Sequence, residues 1–204
     1  MRVMRILVAT AIAVTVGYIS AEVSAQAGDA AGALSGGWKL NVDASTNPNG
    51  AEVANAGRGG GRGGRRGGGG LGEFGGGDLG PEELKRFNTH LAMFRKAPEL
   101  LGIQATAKDV LLVYDPDPSK GLIYKYTTDN KKSKMATPAG ELEVKVKWNG
   151  KVLHREVESK ESLKVVEDYT VSPDGKQLIV TVETTNIMVR MVKVEIKRVY
   201  DRVQ

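Results

Sequence analysis

The most constraining stretch of this chain is Leu142-Glu-Val-Lys-Val-Lys-Trp148, then Asn149-Gly150, then Lys151-Val-Leu-His-Arg-Glu-Val157. Apolar and charged residues alternate here with a period of two, which suits a strand with one buried face. Asn-Gly between two such runs signals a tight hairpin, because a type I′ turn needs positive φ at both central residues. A two-residue loop pairs Trp148 with Lys151, Val146 with Leu153, Val144 with Arg155 and Leu142 with Val157. One face is then apolar except for Lys151 and Arg155, with Trp148 as a core residue. The other face carries Lys145, Lys147, His154 and Glu156 and belongs in water.

The same period continues on both sides. Leu163, Val165, Glu167, Tyr169 and Val171 share a face, and Ser172-Pro-Asp-Gly-Lys176 has turn composition. A four-residue loop from Pro173 to Lys176 keeps Val171 opposite Leu178 and Tyr169 opposite Val180; a loop one residue shorter sets apolar against polar. Leu178, Val180 and Val182 continue the inward face, and Val192, Val194, Ile196, Arg198 and Tyr200 face it from the last strand. Upstream, 101–106, 109–114 and 122–126 read as strands, with a short one near Met135. Near the start, Trp38, Leu40 and Val42 alternate with polar neighbours. Many short strands with no helix between them indicate a mainly β fold, an antiparallel barrel or strongly curled meander of about 8–10 strands.

One helix interrupts this pattern. Pro81 fits a first helical turn, Glu82 and Glu83 suit its positive end, and Ala97-Pro98 stops it. Leu84, Phe87, Leu91 and Phe94 form one apolar stripe, so the helix over 81–97 is expected to pack on the barrel or plug its end.

Part of the chain is not expected to fold. Met1-Arg-Val-Met-Arg5 is followed by an apolar run from Ile6 to Ile19 and by small residues at 23–27. That is the pattern of a secretory signal peptide over 1–25, cut after Ala25 or Ala27. No later segment is apolar enough to span a membrane, and the expected location is periplasmic or secreted. Residues 26–56 contribute the first strand, about 36–42. Residues 57–80 hold fifteen glycines with Arg58, Arg62, Arg65 and Arg66, too little to bury against the entropy of ordering, so a disordered linker is expected. The antiparallel β domain occupies 100–204.

Charge and cysteine content narrow the function. The formal net charge is +5. Residues 1–25 carry +1 and the Gly/Arg tract +2, which leaves +2 for all the rest. A basic nucleic-acid-binding face on the barrel is therefore not indicated. Contact of the four linker arginines with an anionic envelope surface is the alternative use of the tract. With no cysteine, disulfides and thiol chemistry are excluded.

Gly36-Gly37-Trp38 matches the G-x-W start of lipocalin-like (calycin) barrels, and Arg198-Val-Tyr-Asp-Arg202 resembles their closing segment. The resemblance implies an arginine packed across Trp38 to close one end, a cation–π contact of about 0.5–2 kcal/mol. Arg198 and Arg202 are the candidates, and Arg198 has the parity of the inward residues. More of the chain resembles a group of exported bacterial proteins of unknown function. These share Trp38-Lys-Leu-Asn41 with Ser45, the Arg/Gly tract, Trp148-Asn-Gly150, Ser172-Pro-Asp-Gly-Lys176 and Arg198-Val-Tyr-Asp-Arg202. These motifs are turns and core positions, so they imply a fold and say little about activity.

No catalytic constellation stands out. His90 and His154 are isolated, with no carboxylate at ligand spacing, which leaves no metal site and no cofactor implied. Asp115-x-Asp117-x-Ser119-x-Gly121 lacks the closing glutamate of a calcium loop and reads as a turn. No G-x-S-x-G elbow is present. Arg155 and Glu167 are the residues that call for explanation: by parity both point inward, and an unpartnered buried charge is costly. They pair with each other, line a wet cavity or sit at an open end. With Tyr169 they are the candidate contacts for a small apolar ligand. The expectation is a non-enzymatic exported lipocalin-like protein. The alternative is an envelope-associated module with a filled barrel.

Overall fold

The computed structural model describes residues 27–49, 79–115, 122–186 and 194–203. Residues 1–26, Arg58, Arg62, Arg65 and Arg66, Asp117 and Ser119, and Val192 lie outside them. In chain order the elements are helix α1 (27–34), β1 (Gly36–Thr46), α2 (Pro81–Arg95), β2 (Leu100–Ala105), β3 (Asp109–Tyr114), β4 (Leu122–Thr127) and β5 (Ser133–Thr137). Then follow β6 (Gly140–Asn149), β7 (Val152–Glu158), β8 (Leu163–Val171), β9 (Gln177–Asn186) and β10 (Val194–Val203).

All ten strands form one antiparallel sheet, ordered β4-β3-β2-β1-β10-β9-β8-β7-β6-β5. The sheet curls into a nearly closed barrel, as expected for the fold class, and β4 and β5 are the strands left unpaired with each other. The seam between them is crossed by an isolated bridge from Asp129 to Lys147 and by the Tyr126 hydroxyl donating to Met135 Sδ at 3.1 Å. Parity along each strand places the core. Leu142, Val144, Val146, Leu153, Val157, Val165, Tyr169, Leu178, Val182 and Ile196 are all buried.

The β8–β9 turn keeps the expected register, with Val171 opposite Leu178 and Tyr169 opposite Val180. The β6–β7 hairpin does not. Its turn residues are Gly150 and Lys151, and Asn149 pairs with Val152, Trp148 with Leu153 and Val146 with Arg155. Only Gly150 of the two central residues has positive φ, at 59°, as a type II′ turn requires. The shift is by two positions, so every side chain keeps its face. It sets the Trp148 indole against Leu153 instead of a lysine. Trp148 is half-buried at the barrel's end, where Nε1 donates to the Thr106 carbonyl at 3.2 Å.

Among the described residues there are two helices where one was expected. Over 27–34 the buried positions Ala27, Ala30, Ala31 and Leu34 have helical spacing, but three of the four are alanines, which makes the apolar stripe weak. Leu34 O accepts the Trp38 indole N–H at 3.0 Å, so α1 is held by β1. β1 runs on past Val42 to Thr46 through a bulge after Asn41, and Val42 is exposed. Helix α2 joins the far end of β1 to β2, so the two helices cover opposite ends. Its Phe87, His90, Leu91 and Phe94 are buried, whereas Leu84 is exposed. No helix among the described residues is long and apolar enough to cross a membrane.

Candidate functional site

The inner face of the barrel builds a charged centre from cross-strand register. Arg155 on β7 lies directly opposite Glu167 on β8. Both are buried, at 1% and 3% exposure, which is where an unpaired charge could not be kept. Arg155 Nη1 donates to Glu167 Oε2 at 2.7 Å and to the Tyr114 hydroxyl at 2.8 Å. Nη2 donates to the Tyr126 hydroxyl at 3.1 Å and meets Met135 Sδ at 3.2 Å. Tyr169, two residues along from Glu167, donates to the same Oε2 at 2.9 Å. With that proton committed, the 3.2 Å contact between the Tyr114 and Tyr169 hydroxyls is a donation from Tyr114. The result is a closed ring: Arg155 to Tyr114, to Tyr169, to Glu167, and back to Arg155.

Aromatic faces complete it. The guanidinium lies 5.2 Å from the Tyr126 ring, 5.7 Å from Tyr124 and 5.9 Å from Phe94 of α2. Burial alone would disfavour the Arg155 charge, but the oxygens of Tyr114, Glu167 and Tyr126 outweigh it and raise its pKa well above the ordinary value. Burial also pushes the Tyr114, Tyr126 and Tyr169 hydroxyls up, so all three stay protonated donors.

Beside this ring is a cavity of about 570 Å³. Its apolar lining comes from Met93, Phe94, Ala97 and Pro98 around α2 and from Leu101, Leu122, Tyr124 and Val180 on the strands; Arg155, Glu167, Tyr169 and Tyr114 form one polar pole. The three residues expected to meet a ligand, Arg155, Glu167 and Tyr169, thus lie together on its wall. Pockets of this size with apolar walls and few polar groups suit small ligands.

The structure corrects the closure of the barrel. Arg202, not Arg198, lies over the Trp38 ring, with 4.1 Å to the centroid. Trp38 and Arg202 are direct partners in the β1–β10 register. Arg202 also donates to the carbonyls of Ala33, Ser35 and Gly175, tying α1 to the β8–β9 turn. Arg198 shares its parity but sits four residues nearer the other end. There it donates to the carbonyls of Pro48, Phe94 and Arg95, closing the C-terminus of α2. Parity could not separate the two arginines; distance along the strand does.

Sequence reasoning missed Tyr114, Tyr124, Tyr126, Met135 and Phe94 as parts of the site. The signal available was the shared parity of Leu122, Tyr124 and Tyr126, but only curling of the sheet brings β3 and β4 across to β7. Among the described residues no group of three or more His, Cys, Asp and Glu side chains could hold a metal. His154 lies on the outer face with Nδ1 2.7 Å from Asp168.

His90 is instead part of the seat of α2. It is 2% exposed, with Nε2 3.0 Å from Thr137 Oγ1 and Nδ1 3.9 Å from Glu161, whose carboxylate also takes a 2.8 Å hydrogen bond from Arg86. Burial lowers the His90 pKa, with Glu161 opposing and Arg86 adding to the effect. Burial would raise the Glu161 carboxyl, but hydrogen bonds from Arg86, the backbone and Ser159 hold it below its usual value. A histidine lowered in the folded state binds its proton more readily once unfolded, so its contribution is whole above about pH 6.5 and falls away as pH drops. Glu161 acts in the same direction at lower pH, its contribution being lost as pH falls below about 4.5 towards its folded value. We therefore expect the denaturation midpoint to decline from about pH 6.5 downwards, with the decline between about pH 6.5 and 5 absent in His90→Gln. Equal slopes for the two chains in denaturant titrations over that range would contradict this.

No family model matches the sequence, and neither does any curated protein. Solved structures do. A secretory abundant heat soluble (SAHS) protein from Ramazzottius varieornatus superposes with a TM-score of 0.51 at 16% identity, over 84% of this chain and 96% of that one. A Schistosoma mansoni fatty acid binding protein in complex with arachidonic acid gives 0.50 at 14% identity, over 84% and 97%. At such identities the likeness speaks for the fold alone, an antiparallel β-barrel that here has ten strands and two helices among the described residues.

Proposed function

We propose that this chain is a non-enzymatic binding protein whose barrel takes up a small, largely apolar ligand, with any polar end directed at the Arg155, Glu167 and tyrosine ring. The observation that carries the reading is the cavity of about 570 Å³ between that ring and α2. The Schistosoma mansoni protein of similar fold is described in complex with arachidonic acid, which supports an apolar chain as the cargo. A solidly filled barrel, the alternative drawn from the sequence, finds no support beside a cavity of this size. Export belongs to the proposal as well. Its support is the basic and then apolar pattern of residues 1–25.

The test is a titration of the protein, stripped of bound lipid, with N-phenyl-1-naphthylamine, a neutral probe that fluoresces in apolar surroundings. Saturable binding is expected, weakened at least about tenfold by Val180→Trp, which fills the cavity from β9. Absence of saturable binding, or binding indifferent to Val180→Trp, would remove the barrel-ligand reading.

A further inference from the structure

We infer that the barrel selects ligands with an uncharged polar head group, such as an alcohol, amide or ester, over carboxylates of the same chain length. This rests on the ligand-binding reading and adds the charge of the cargo to it. The warrant is that the polar pole of the cavity is already electrically complete. Arg155 is the cation there, and its counter-charge is the protein's own Glu167, at 2.7 Å on a directly opposed residue. Tyr169 is turned to the same carboxylate oxygen. A ligand carboxylate arriving at Arg155 would place a second anion beside the first in a site shielded from water. That like-charge contact disfavours the ionised form.

The other charged groups on the cavity wall do not change this. Arg198 has its donors on the carbonyls of Pro48, Phe94 and Arg95. The negative end of α2 gives it a partial counter-field. Lys96 and Asp115 line the cavity with opposite signs, the lysine exposed and the aspartate half-buried. What the pole offers a ligand is hydrogen bonding without net charge. Arg155 Nε is buried with no acceptor among the described residues, and the tyrosine hydroxyls can exchange partners. A hydroxyl or carbonyl can join such a ring without adding charge to it.

The experiment is displacement of bound N-phenyl-1-naphthylamine by dodecan-1-ol and by dodecanoate. At about pH 8 the acid is fully ionised, and the wild-type barrel is expected to prefer the alcohol by at least about tenfold. Glu167→Gln removes the internal counter-charge and is expected to reverse the order. A second arm keeps the test independent of that variant's folding. At about pH 4 the acid is largely neutral, and the wild-type ratio of the two affinities should fall towards one. Dodecanoate displacing the probe as well as or better than the alcohol at about pH 8 overturns the inference and moves the head group to Arg198, while the ligand-binding reading stands. Probe binding that neither chain displaces also overturns it. Failure of the probe itself to bind sinks the underlying reading.

Discussion

Replacing Glu167 with leucine is expected to lower the stability of the barrel by about 3–5 kcal/mol, and adding Arg155→Met to the same chain is expected to recover most of that loss. The first change leaves a guanidinium at 1% exposure without its carboxylate, and the desolvation of that charge is then uncompensated. It also strands the Tyr169 hydroxyl, whose acceptor is Glu167. The second change removes the orphaned charge and leaves a flexible apolar side chain next to Met135, Tyr126 and Phe94. For a folded part of this size the single variant corresponds to a fall in Tm of roughly 10 °C or more. Denaturant midpoints of the two single variants and the double variant measure the coupling directly. A double variant no more stable than the weaker single one would show that the pair is not the source of the effect.

Trp38→Ala is expected to cost a similar amount, about 3–5 kcal/mol, for a different reason. Trp38 is fully buried, its indole is fixed to Leu34 O, and the Arg202 guanidinium covers its face. Truncation opens a large cavity at the end of the barrel and frees α1. It also removes the surface on which Arg202 lies while that residue holds three carbonyls. Trp38→Phe keeps much of the packing and loses the indole hydrogen bond, so a loss nearer about 1–2 kcal/mol is expected. Thermal unfolding followed by far-ultraviolet circular dichroism separates the two substitutions. Equal losses for Ala and Phe would mean that the Leu34 hydrogen bond, not the packed volume, is what Trp38 contributes.

Both expectations depend on features whose legibility in the sequence differs. The inward direction of Arg155, Glu167 and Tyr169 follows from parity along β7 and β8, since a period of two leaves no freedom once one face is apolar. The β8–β9 register was also readable, because a wrong loop length would have set apolar residues against polar ones. The β6–β7 register was not. A shift by two preserves every face, so hydrophobic pattern cannot detect it; the turn geometry at Gly150 and the packing of Trp148 decide it. Helix α1 was invisible for a related reason: its buried residues are mostly alanines, whose burial depends on a neighbouring surface.

By itself, then, the sequence determined an antiparallel β fold, the helix at Pro81, the inward faces of β6 to β10 and the inward direction of Arg155, Glu167 and Arg198. These are local properties, set by periodicity and by the backbone preferences of Gly, Pro and Asn. The tertiary structure alone decided that Arg155 is ringed by tyrosines from β3 and β4, that Arg202 instead of Arg198 covers Trp38, and that a cavity remains under α2. Each depends on how far the sheet curls before β4 meets β5, a sum of small twists over ten strands that no single stretch of sequence encodes. The hairpin around Asn149-Gly150 announces a barrel; the curl of the whole sheet is what leaves room inside it.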